Sequence, residues 1–435
     1  MITRKTEITE DRPMNSRYEQ MLALIREQIR PAVGCTEPGA AAYAAAVAAQ
    51  TLGETPERLT VSVSRNILKN AMGVGIPGTD RVGLPIAVAL GALCGDAKAG
   101  LAALHGISGE DLQRAQAFAD NHQVQICLSD TEEKLYIDVL AEGNGHSART
   151  VIAGAHTRIA LIERDGVRLS GGEAAEESSL GGAAAALSLR EIDAFVREVP
   201  EERLLFLQEC IDMNMTIAQE GLEHTYGLGI GQSISETLGQ NGTEENYAMA
   251  LTCAAADARM GGCTLPVMSS CGGGNQGLTA TLPVIAVARR RGLSREQTLR
   301  ALAYSLLVTI HIKQHLGKLS ALCACSVGAS IGTSCALTYL SGGTVEQIGH
   351  CVDNVVADVS GVICDGAKAG CSLKIATGVS SAFRGSMLAM KNRSASAADG
   401  IVGRDPEASV DNLANLCNTG MQDTDRVILD MLVCK

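Results

Sequence analysis

The sequence of 435 residues contains no tryptophan, and only 3% of its residues are aromatic. A β-sandwich is disfavoured, because its packed sheets need many aromatic and β-branched side chains. The chain is also short of positive charge, with 36 Lys and Arg residues against 48 Asp and Glu residues and a formal net charge of −12. Because it has no basic cluster, it lacks the surface that binds nucleic acid. A small anionic substrate stays compatible, since it needs only local positive potential.

Two kinds of apolar segment are missing as well. Residues 1–13 are polar and charged and lack the apolar core of a signal peptide, which predicts a cytoplasmic location. The uncharged stretch 319–338 is rich in Ser, Gly, Cys and Thr, so it predicts a buried helix rather than a membrane span. We therefore expect no membrane partner.

Alanine and glycine are abundant, and the chain contains 47 glycines. This composition favours closely packed helices, and the length predicts two or three domains. We expect a tail over 1–15 and an α+β domain with a mostly antiparallel sheet over 16–180. Residues 186–435 are predicted to form an all-α domain, which would carry a metal cluster. The strand-like segments are 59–64, 124–128, 134–140, 148–153 and 157–163. The Gly-, Ala-, Glu- and Ser-rich stretch 170–185 is the predicted linker.

Fifteen cysteines are present, and in a cytoplasmic protein they indicate metal binding or catalysis rather than disulfides. Cys323, Cys364 and Cys371 form a trio split between two segments. Three thiolates can hold an iron–sulfur cluster and leave one iron open for a substrate. The alternative is that these cysteines pack in the core as small apolar side chains. His311, Lys313 and further basic residues precede the trio, either as positive charge beside it or as a solvated helix face.

Two residues in the first half of the chain are candidate catalytic groups. Cys35 precedes a predicted helix start at Pro38, and a helix N-terminus lowers the pKa of a cysteine. A loop cysteine without a catalytic role is the alternative. His156 lies between two predicted strands and is a candidate proton carrier, unless it is an ordinary hydrogen-bonded histidine.

Two glycine-rich turns are candidate substrate sites, since backbone amides in such turns and at helix N-termini bind carboxylates. The first covers 65–79, and Pro77 within it argues against a dinucleotide-binding loop. The second covers 269–277 and leads into a helix. The predicted substrate-binding residues are Asn66, Lys69, Asn70, Gly73, Thr79, Asn275 and Gln276.

A combination of short segments resembles the L-cysteine desulfidase family, from about residue 16 to the end of the chain. The helical half is similar to the alpha domain of bacterial iron–sulfur L-serine dehydratases. The segments that carry the resemblance are Gly-Cys-Thr-Glu-Pro at 34–38, the turn at 69–79, Asp-Ala-Arg-Met-Gly-Gly at 257–262, Gly-Asn-Gln-Gly at 274–277, Leu-Ser-Ala-Leu-Cys at 319–323 and Ile-Cys-Asp-Gly at 363–366.

The resemblance implies a [4Fe–4S] lyase that converts L-cysteine to pyruvate, ammonia and sulfide. It implies that Cys323, Cys364 and Cys371 are the cluster ligands. It makes Cys35 the proton acceptor, with a role as fourth ligand left open. Competing ligands are Cys325 and Cys271, and Cys434 matches the place of a C-terminal cysteine that caps the open iron in serine dehydratases.

Two other functions remain open at this point. The same groups would serve an L-serine dehydratase, and the same cluster would serve a non-catalytic iron- or redox-sensing protein. A pyridoxal-dependent lyase is disfavoured, because no lysine has a suitable context. The expected partner is a small molecule, L-cysteine or L-serine, and the sequence leaves formation of a homo-oligomer open.

Overall fold

A computed structural model describes residues 15–170, 187–238, 242–317 and 320–433. Residues 15–170 combine helices with strands. The helices are α1 (Ser16–Gln28), α2 (Thr36–Leu52), α3 (Arg65–Ala71), α4 (Leu84–Cys94) and α5 (Gly109–Asp120). The strands are β1 (Ile29–Ala32), β2 (Arg58–Val63), β3 (Val124–Leu128), β4 (Tyr136–Gly143), β5 (His146–Ala153), β6 (Ile159–Arg164) and β7 (Val167–Ser170).

The described residues from 187 onward are mainly helical. The helices are α6 (Leu189–Glu198), α7 (Gln208–Glu223), α8 (Ile230–Leu238), α9 (Glu244–Met260), α10 (Gly274–Arg291), α11 (Arg295–Leu316), α12 (Gly328–Leu340), α13 (Val345–Val359), α14 (Cys371–Ala389), α15 (Pro406–Asn415) and α16 (Gln422–Val433). One strand, β8 (Val267–Ser270), interrupts them. An α+β region followed by a helical region is therefore confirmed. Most of the predicted linker, 171–185, lies outside the described residues.

The larger sheet is mixed, with the strand order β3-β2-β4-β5-β6-β7. Strands β2 and β3 are parallel, and the other four pairings are antiparallel. The hairpin between β4 and β5 turns at Asn144 and Gly145, whose φ angles of 43° and 82° are positive. An Asn-Gly pair is the usual choice for such a turn, because both central residues need a positive φ.

Helices α2 and α4 pack together against the sheet. A Cβ at Gly91 of α4 would lie 2.2 Å from the carbonyl oxygen of Ala42 in α2, so the glycine permits the close approach. Ala42 lies at this contact, and Ala41, Ala42 and Ala45 are fully buried. The abundance of alanine and glycine thus serves close helix packing, as the composition predicts.

The helices from α6 onward surround a second apolar core, and side-chain caps define where several of them begin. Ser188, Thr243, Ser294 and Thr344 each accept a hydrogen bond from a backbone amide in the first turn and complete a capping box. The predicted buried helix over 319–338 is correct only from Gly328, where α12 begins, because residues 320–327 form a bridge and turns. Every residue of α12 up to Thr338 is buried.

Two features of this region differ from the prediction. It is not all-α, because β8 pairs antiparallel with β1. Helix α1 contributes Met21 and Ile25 to the helical core rather than to the core beneath the large sheet. Strands of four residues are too short to show a periodicity in the sequence, so the pairing of β1 with β8 was not predictable. The packing of α1, which comes directly before β1, was not predictable for the same reason.

The C-terminal helix α16 crosses back to the N-terminal region. Its Leu429 is buried in the core formed by α2, α4 and the large sheet. Asp425 of the same helix accepts a hydrogen bond from Lys69 of α3, with 2.6 Å between Nζ and Oδ1. Both ends of the described chain therefore tie the two regions together. No helix within the described ranges is long and apolar enough to cross a membrane.

Candidate active site

The two cysteine segments lie side by side. Leu322 and Ile363 form an antiparallel bridge. The amide of Cys323 donates to the carbonyl oxygen of Val362 at 2.8 Å, and the amide of Cys364 donates to that of Ala321 at 2.7 Å. Segments that are far apart in the sequence thus bring Cys323 and Cys364 together.

Cys371 joins them at the first residue of α14. The loop before it turns at Gly366, whose φ is 95°, and the Cys371 thiol lies 3.6 Å from the carbonyl oxygen of Gly366. Burial raises the pKa of both Cys364 and Cys371, and the nearby charge of Cys323 raises each further. The three predicted ligands therefore lie within electrostatic reach of one another.

Cys325 is a fourth thiol at the same place. Its hydrogen bond lowers the pKa of Cys323 to about 6, whereas the pKa of Cys325 itself is raised, first by that hydrogen bond and then by burial. Cys323 is thus the better thiolate of the two. Cys271 lies at the end of β8 with a φ of 49°, and burial raises its pKa to about 11. Cys434 lies outside the described residues.

The donor set consists of thiols, which are the ligand type that iron–sulfur clusters use. Within the described ranges, no three His, Cys, Asp or Glu side chains converge as the ligands of one ion do. A [4Fe–4S] cluster has a different requirement, because each thiolate binds its own iron and the thiolates surround the core. Cys323, Cys364 and Cys371 are free thiols on two paired segments, which is the chemistry that such a cluster needs.

Positive charge surrounds these thiols. The Lys374 ammonium donates to the carbonyl oxygen of Ile363 at 2.7 Å, and Asp365 forms ion pairs with both Lys368 and Lys374. The Lys69 ammonium lies 3.4 Å from the carbonyl oxygen of Cys364. These contacts order the loop that carries the thiols and provide charge that favours thiolates.

Lys313 of α11 adds a buried amine to the same surroundings. Only 6% of its surface is exposed. Burial lowers its pKa, while the charges of Cys271, Cys325 and Cys364 oppose that change. The alternative that this helix presents a solvated basic face is therefore wrong for Lys313, and His311 of the same helix is buried against Glu407 at 2.8 Å.

Cys35 lies at the N-terminus of α2, as predicted, and is itself the N-cap residue because α2 begins at Thr36 rather than at Pro38, but its pKa does not fall. Burial raises the pKa of the Cys35 thiol, and the neighbouring Glu37 carboxylate raises it further, against a smaller opposing effect of Arg259. The thiol donates a hydrogen bond to Glu37, with 2.8 Å between Sγ and Oε2. The predicted thiolate is therefore wrong for this structure, because burial and a nearby anion outweigh the helix dipole.

Cys35 nevertheless lies close to Cys371, one of the three predicted ligands. It forms a small buried group with Val74 and Met260, and Ala367 and Cys371 pack against that group. The structure thus brings the predicted proton acceptor of the N-terminal region together with a predicted cluster ligand of the helical region.

Glu37 is a residue that the sequence reasoning missed. Besides the Cys35 thiol, it accepts hydrogen bonds from Thr36 at 3.2 Å and from Asn70 at 3.1 Å. Burial alone raises its pKa, but the nearby His156 and the hydrogen bonds from Cys35 and Asn70 together lower it. His156 is therefore close to Glu37, and the only sequence signal was the position of Glu37 two residues after Cys35.

The first glycine-rich turn is mainly a packing contact. The amides of Gly75 and Gly78 donate to the carbonyl oxygens of Met260 and Gly262, both at 2.9 Å. The Thr79 hydroxyl donates to the carbonyl oxygen of Ile76 at 2.9 Å. The expectation that these amides bind a carboxylate is wrong for Gly75 and Gly78, because the protein backbone already uses them.

The other predicted residues of this turn have separate environments. Gly73 forms a parallel bridge with Lys368, close to the cysteine loop. Asn66 is partly buried on α3. Asn70 and Lys69, on the same helix, reach Glu37 and Asp425 respectively. Helix α3 therefore contacts both Glu37, through Asn70, and the loop that carries Cys364, through Lys69.

The second turn is linked to Cys35 through Arg259, another residue not predicted. The Arg259 guanidinium donates to the carbonyl oxygen of Gly34 at 2.7 Å and to Asn275 Oδ1 at 3.1 Å. A Cβ at Gly274 would lie 2.2 Å from Arg259 Nε, so only glycine fits beside the guanidinium. Gln276 is 2% exposed, and apart from the neighbouring Cys271 thiol its Nε2 has no hydrogen-bond partner among the described residues.

Comparison with known proteins adds a family match. Residues 173–430 match the family described as serine dehydratase alpha chain. The match covers the cysteine segments, α9 and the second glycine-rich turn. It confirms the resemblance of the helical half to the alpha domain of serine dehydratases.

Relatives of full length also exist in several bacteria. A UPF0597 protein of Aeromonas salmonicida is 43% identical over 428 residues, which are 97% of this chain and 98% of the relative. UPF0597 proteins of Bacteroides fragilis and Oleidesulfovibrio alaskensis are each 42% identical over 429 residues, which are 97% and 98% of this chain and 99% of each relative. The name of these relatives states no activity.

Proposed function

Since the chain belongs to the serine dehydratase alpha chain family, we propose that it is an iron–sulfur lyase that converts L-cysteine to pyruvate, ammonia and sulfide. The observation that carries this proposal is the packing of Cys35, with Val74 and Met260, against Cys371. A candidate proton carrier beside a candidate cluster ligand is what a β-elimination needs, because one group must act on the α-proton while another assists departure at the β-carbon.

Cys323, Cys364 and Cys371 would hold the [4Fe–4S] cluster. When bound, the cluster supplies a Lewis acid at its open iron, which stabilises the leaving group of the amino acid. Lys69, Lys313 and Lys374 surround the ligands and offset the negative charge that three thiolates bring. Cys325 and Cys271 remain competing donors in this proposal.

Gln276 is the strongest candidate for binding the substrate carboxylate. Apart from the neighbouring Cys271 thiol, its buried Nε2 has no hydrogen-bond partner among the described residues, and a poorly satisfied buried donor is costly unless a ligand pairs with it. Asn275 lies next to it but is already engaged by Arg259. We retain Asn66, Lys69, Asn70, Gly73 and Thr79 as proposed substrate-site residues, although Lys69 and Asn70 are already paired with Asp425 and Glu37.

Cys35 would accept the α-proton of the bound amino acid, with His156 as a secondary proton carrier behind Glu37. The α-proton of an amino acid is weakly acidic, so the acceptor must be held within hydrogen-bond reach. The product of elimination, aminoacrylate, tautomerises and hydrolyses in water to pyruvate and ammonia. We propose a cytoplasmic location for this chemistry, with a small molecule as the only partner that the reaction requires.

A second candidate is L-serine dehydratase activity, which the description of the matching family favours directly. The two reactions use the same parts and differ in whether sulfide or water leaves. The preferred substrate depends on whether the site and the cluster bind the thiol of L-cysteine or the hydroxyl of L-serine more favourably.

The test is product release by protein that is purified without oxygen and reconstituted with iron and sulfide. We expect pyruvate and sulfide from L-cysteine, less pyruvate from L-serine, and loss of both activities in air. Pyruvate from L-serine alone would favour the second candidate. Iron binding without turnover of either amino acid would contradict the enzyme proposal and leave the sensing protein.

A further inference from the structure

Glu37 connects three segments that are separate in the sequence. Its carboxylate accepts hydrogen bonds from the Cys35 thiol at 2.8 Å and from the Thr36 hydroxyl at 3.2 Å, both at Oε2. Its other oxygen, Oε1, accepts from Asn70 Nδ2 of α3 at 3.1 Å. His156, in the loop between β5 and β6, lies near enough for its charge to act on Glu37. The carboxylate is thus fixed on both oxygens.

This arrangement determines the state of Cys35. The thiol is the donor in its contact with Glu37, so its hydrogen points at Oε2 and its sulfur lone pairs point elsewhere. A thiol that keeps its hydrogen cannot accept the α-proton of a substrate. If Cys35 is the acceptor, its own proton must first have a destination, and Glu37 Oε2 is the acceptor that already holds it.

We propose that Glu37 is a positioning residue that orients the Cys35 thiol and takes up its proton when Cys35 receives the α-proton of the substrate. This inference rests on the proposed function. Asn70 and Thr36 hold the carboxylate in place through hydrogen bonds, and His156 favours its anionic form. The role belongs to Glu37 because no other carboxylate in the described part of the chain is hydrogen-bonded to the Cys35 thiol.

The proton of the Cys35 thiol moves to Glu37 Oε2, and its bonding pair stays on sulfur. That pair forms a new S–H bond with the α-proton, while the Cα–H pair becomes the Cα–Cβ double bond. The Cβ–S pair leaves with the sulfur as hydrosulfide. The proton on Glu37 then passes to hydrosulfide, which gives hydrogen sulfide and restores both the Cys35 thiol and the Glu37 carboxylate.

The test compares Glu37→Gln, Glu37→Asp and the control Glu191→Gln. Glutamine keeps the shape and one of the two hydrogen-bond acceptors but cannot take a proton, and rotation of the Asn70 amide can satisfy its NH2 group. Glu191 likewise accepts hydrogen bonds, from Ser188 and Arg17, but belongs to the cap of α6. Turnover of L-cysteine is measured with hydrogen and with deuterium at Cα, and is expressed per bound cluster after iron and sulfide analysis.

We expect Glu37→Gln to lower kcat by about 10²-fold, the usual contribution of a proton-transfer group. Its iron content and Tm should stay at the wild-type values, and its deuterium isotope effect on kcat should rise, because Cα–H cleavage becomes slower than later steps. Glu37→Asp, which keeps a carboxylate, should recover part of the lost kcat. Glu191→Gln should match wild type in kcat and isotope effect.

Two results would overturn the inference alone: a Glu37→Gln variant with wild-type kcat, or one whose kcat falls without a larger isotope effect and without recovery in Glu37→Asp. The second pattern is that of a purely structural role. A wild-type protein that binds iron but releases no pyruvate would overturn the proposed function and this inference with it, so the two failures are distinguishable.

Discussion

Gly366 packs directly on the backbone of Lys69, and a Cβ at position 366 would lie 2.1 Å from the Lys69 carbonyl oxygen. This contact seats the loop between Cys364 and Cys371 on helix α3 of the N-terminal region. The ammonium group of the same lysine lies 3.4 Å from the carbonyl oxygen of Cys364. The position of two proposed cluster ligands therefore depends on how closely the two regions approach at one glycine.

Replacing Gly366 with alanine should separate the two regions and disturb the cluster site. The added methyl group meets a backbone oxygen that cannot rotate away, so we expect about 1–3 kcal/mol of destabilisation beyond the cost of the positive φ. Denaturant unfolding and iron analysis after reconstitution would measure both effects.

Gly145→Ala is the matched control for that variant. Gly145 has a similar φ of 82°, compared with 95° at Gly366, but a Cβ there would meet no atom within 4 Å. Gly145→Ala should lose only the stability that a positive φ costs an alanine, and it should keep its full iron content. Equal loss of stability in the two variants would show that the contact with Lys69 is unimportant.

Replacing Gly274 with alanine should move Arg259 and, through it, the loop that carries Cys35. The new Cβ would lie 2.2 Å from Arg259 Nε, and the guanidinium could no longer hold the carbonyl oxygen of Gly34. A displacement of about 1 Å can cost about 10²-fold in rate. We expect kcat to fall by that order with the cluster retained. Gly109→Ala, at the first residue of α5 with open space around it, should leave kcat unchanged.

Removing the partner of Lys69 should loosen the C-terminal helix. Lys69 is 5% exposed and pairs with Asp425 at 2.6 Å, so Asp425→Asn leaves a buried ammonium without its counter-ion. Because the Asp425 side chain is 32% exposed, the loss should be about 1–3 kcal/mol, below that of a fully buried pair. Thermal unfolding and the rate of proteolysis near α16 would report it. Asp423→Asn, on the exposed side of the same helix, should change neither.

Replacing Cys364 with serine should abolish cluster binding, because a hydroxyl is a much weaker ligand for iron in such a cluster than a thiolate. Iron and sulfide analysis and visible absorption after reconstitution would show the loss. Cys335→Ser changes a fully buried cysteine of α12 that contacts Cys351, and it should retain the iron. Normal iron in Cys364→Ser would remove Cys364 from the ligand set.

Replacing Cys35 with alanine separates its two possible roles. If Cys35 is the proton acceptor, the variant should bind iron normally and lose turnover. The visible spectrum of the reconstituted variant should then match that of wild type. Loss of iron would instead make Cys35 a cluster ligand.

Much of the fold was predictable because its signals are local. The alternation of apolar side chains predicted strands β2 to β6 within a few residues, and the Asn-Gly turn predicted the hairpin between β4 and β5. The pairing of β1 with β8 was not predictable, because each strand has four residues and its partner lies more than two hundred residues away along the chain.

The candidate site likewise contains residues that the sequence could predict and residues that it could not. The cysteine trio was predicted from its division between two segments together with the family resemblance, and its role as a ligand set stays a prediction. The roles of Glu37 and Arg259 depend on contacts with residues distant in sequence, Asn70 and Asn275 among them, which no local pattern reveals. The lowered pKa predicted for Cys35 failed for the same reason, since burial and a neighbouring carboxylate are properties of the folded chain.

The central claim is that three protein thiolates hold a cluster whose remaining iron receives the substrate. Mössbauer spectroscopy tests it most directly, on protein reconstituted without oxygen with enriched iron and recorded with and without L-cysteine. We predict the spectrum of a [4Fe–4S] cluster in which L-cysteine changes the signal of one iron site and leaves the others as they were. A protein that takes up no iron, or a cluster whose iron sites are all indifferent to L-cysteine, would contradict the account.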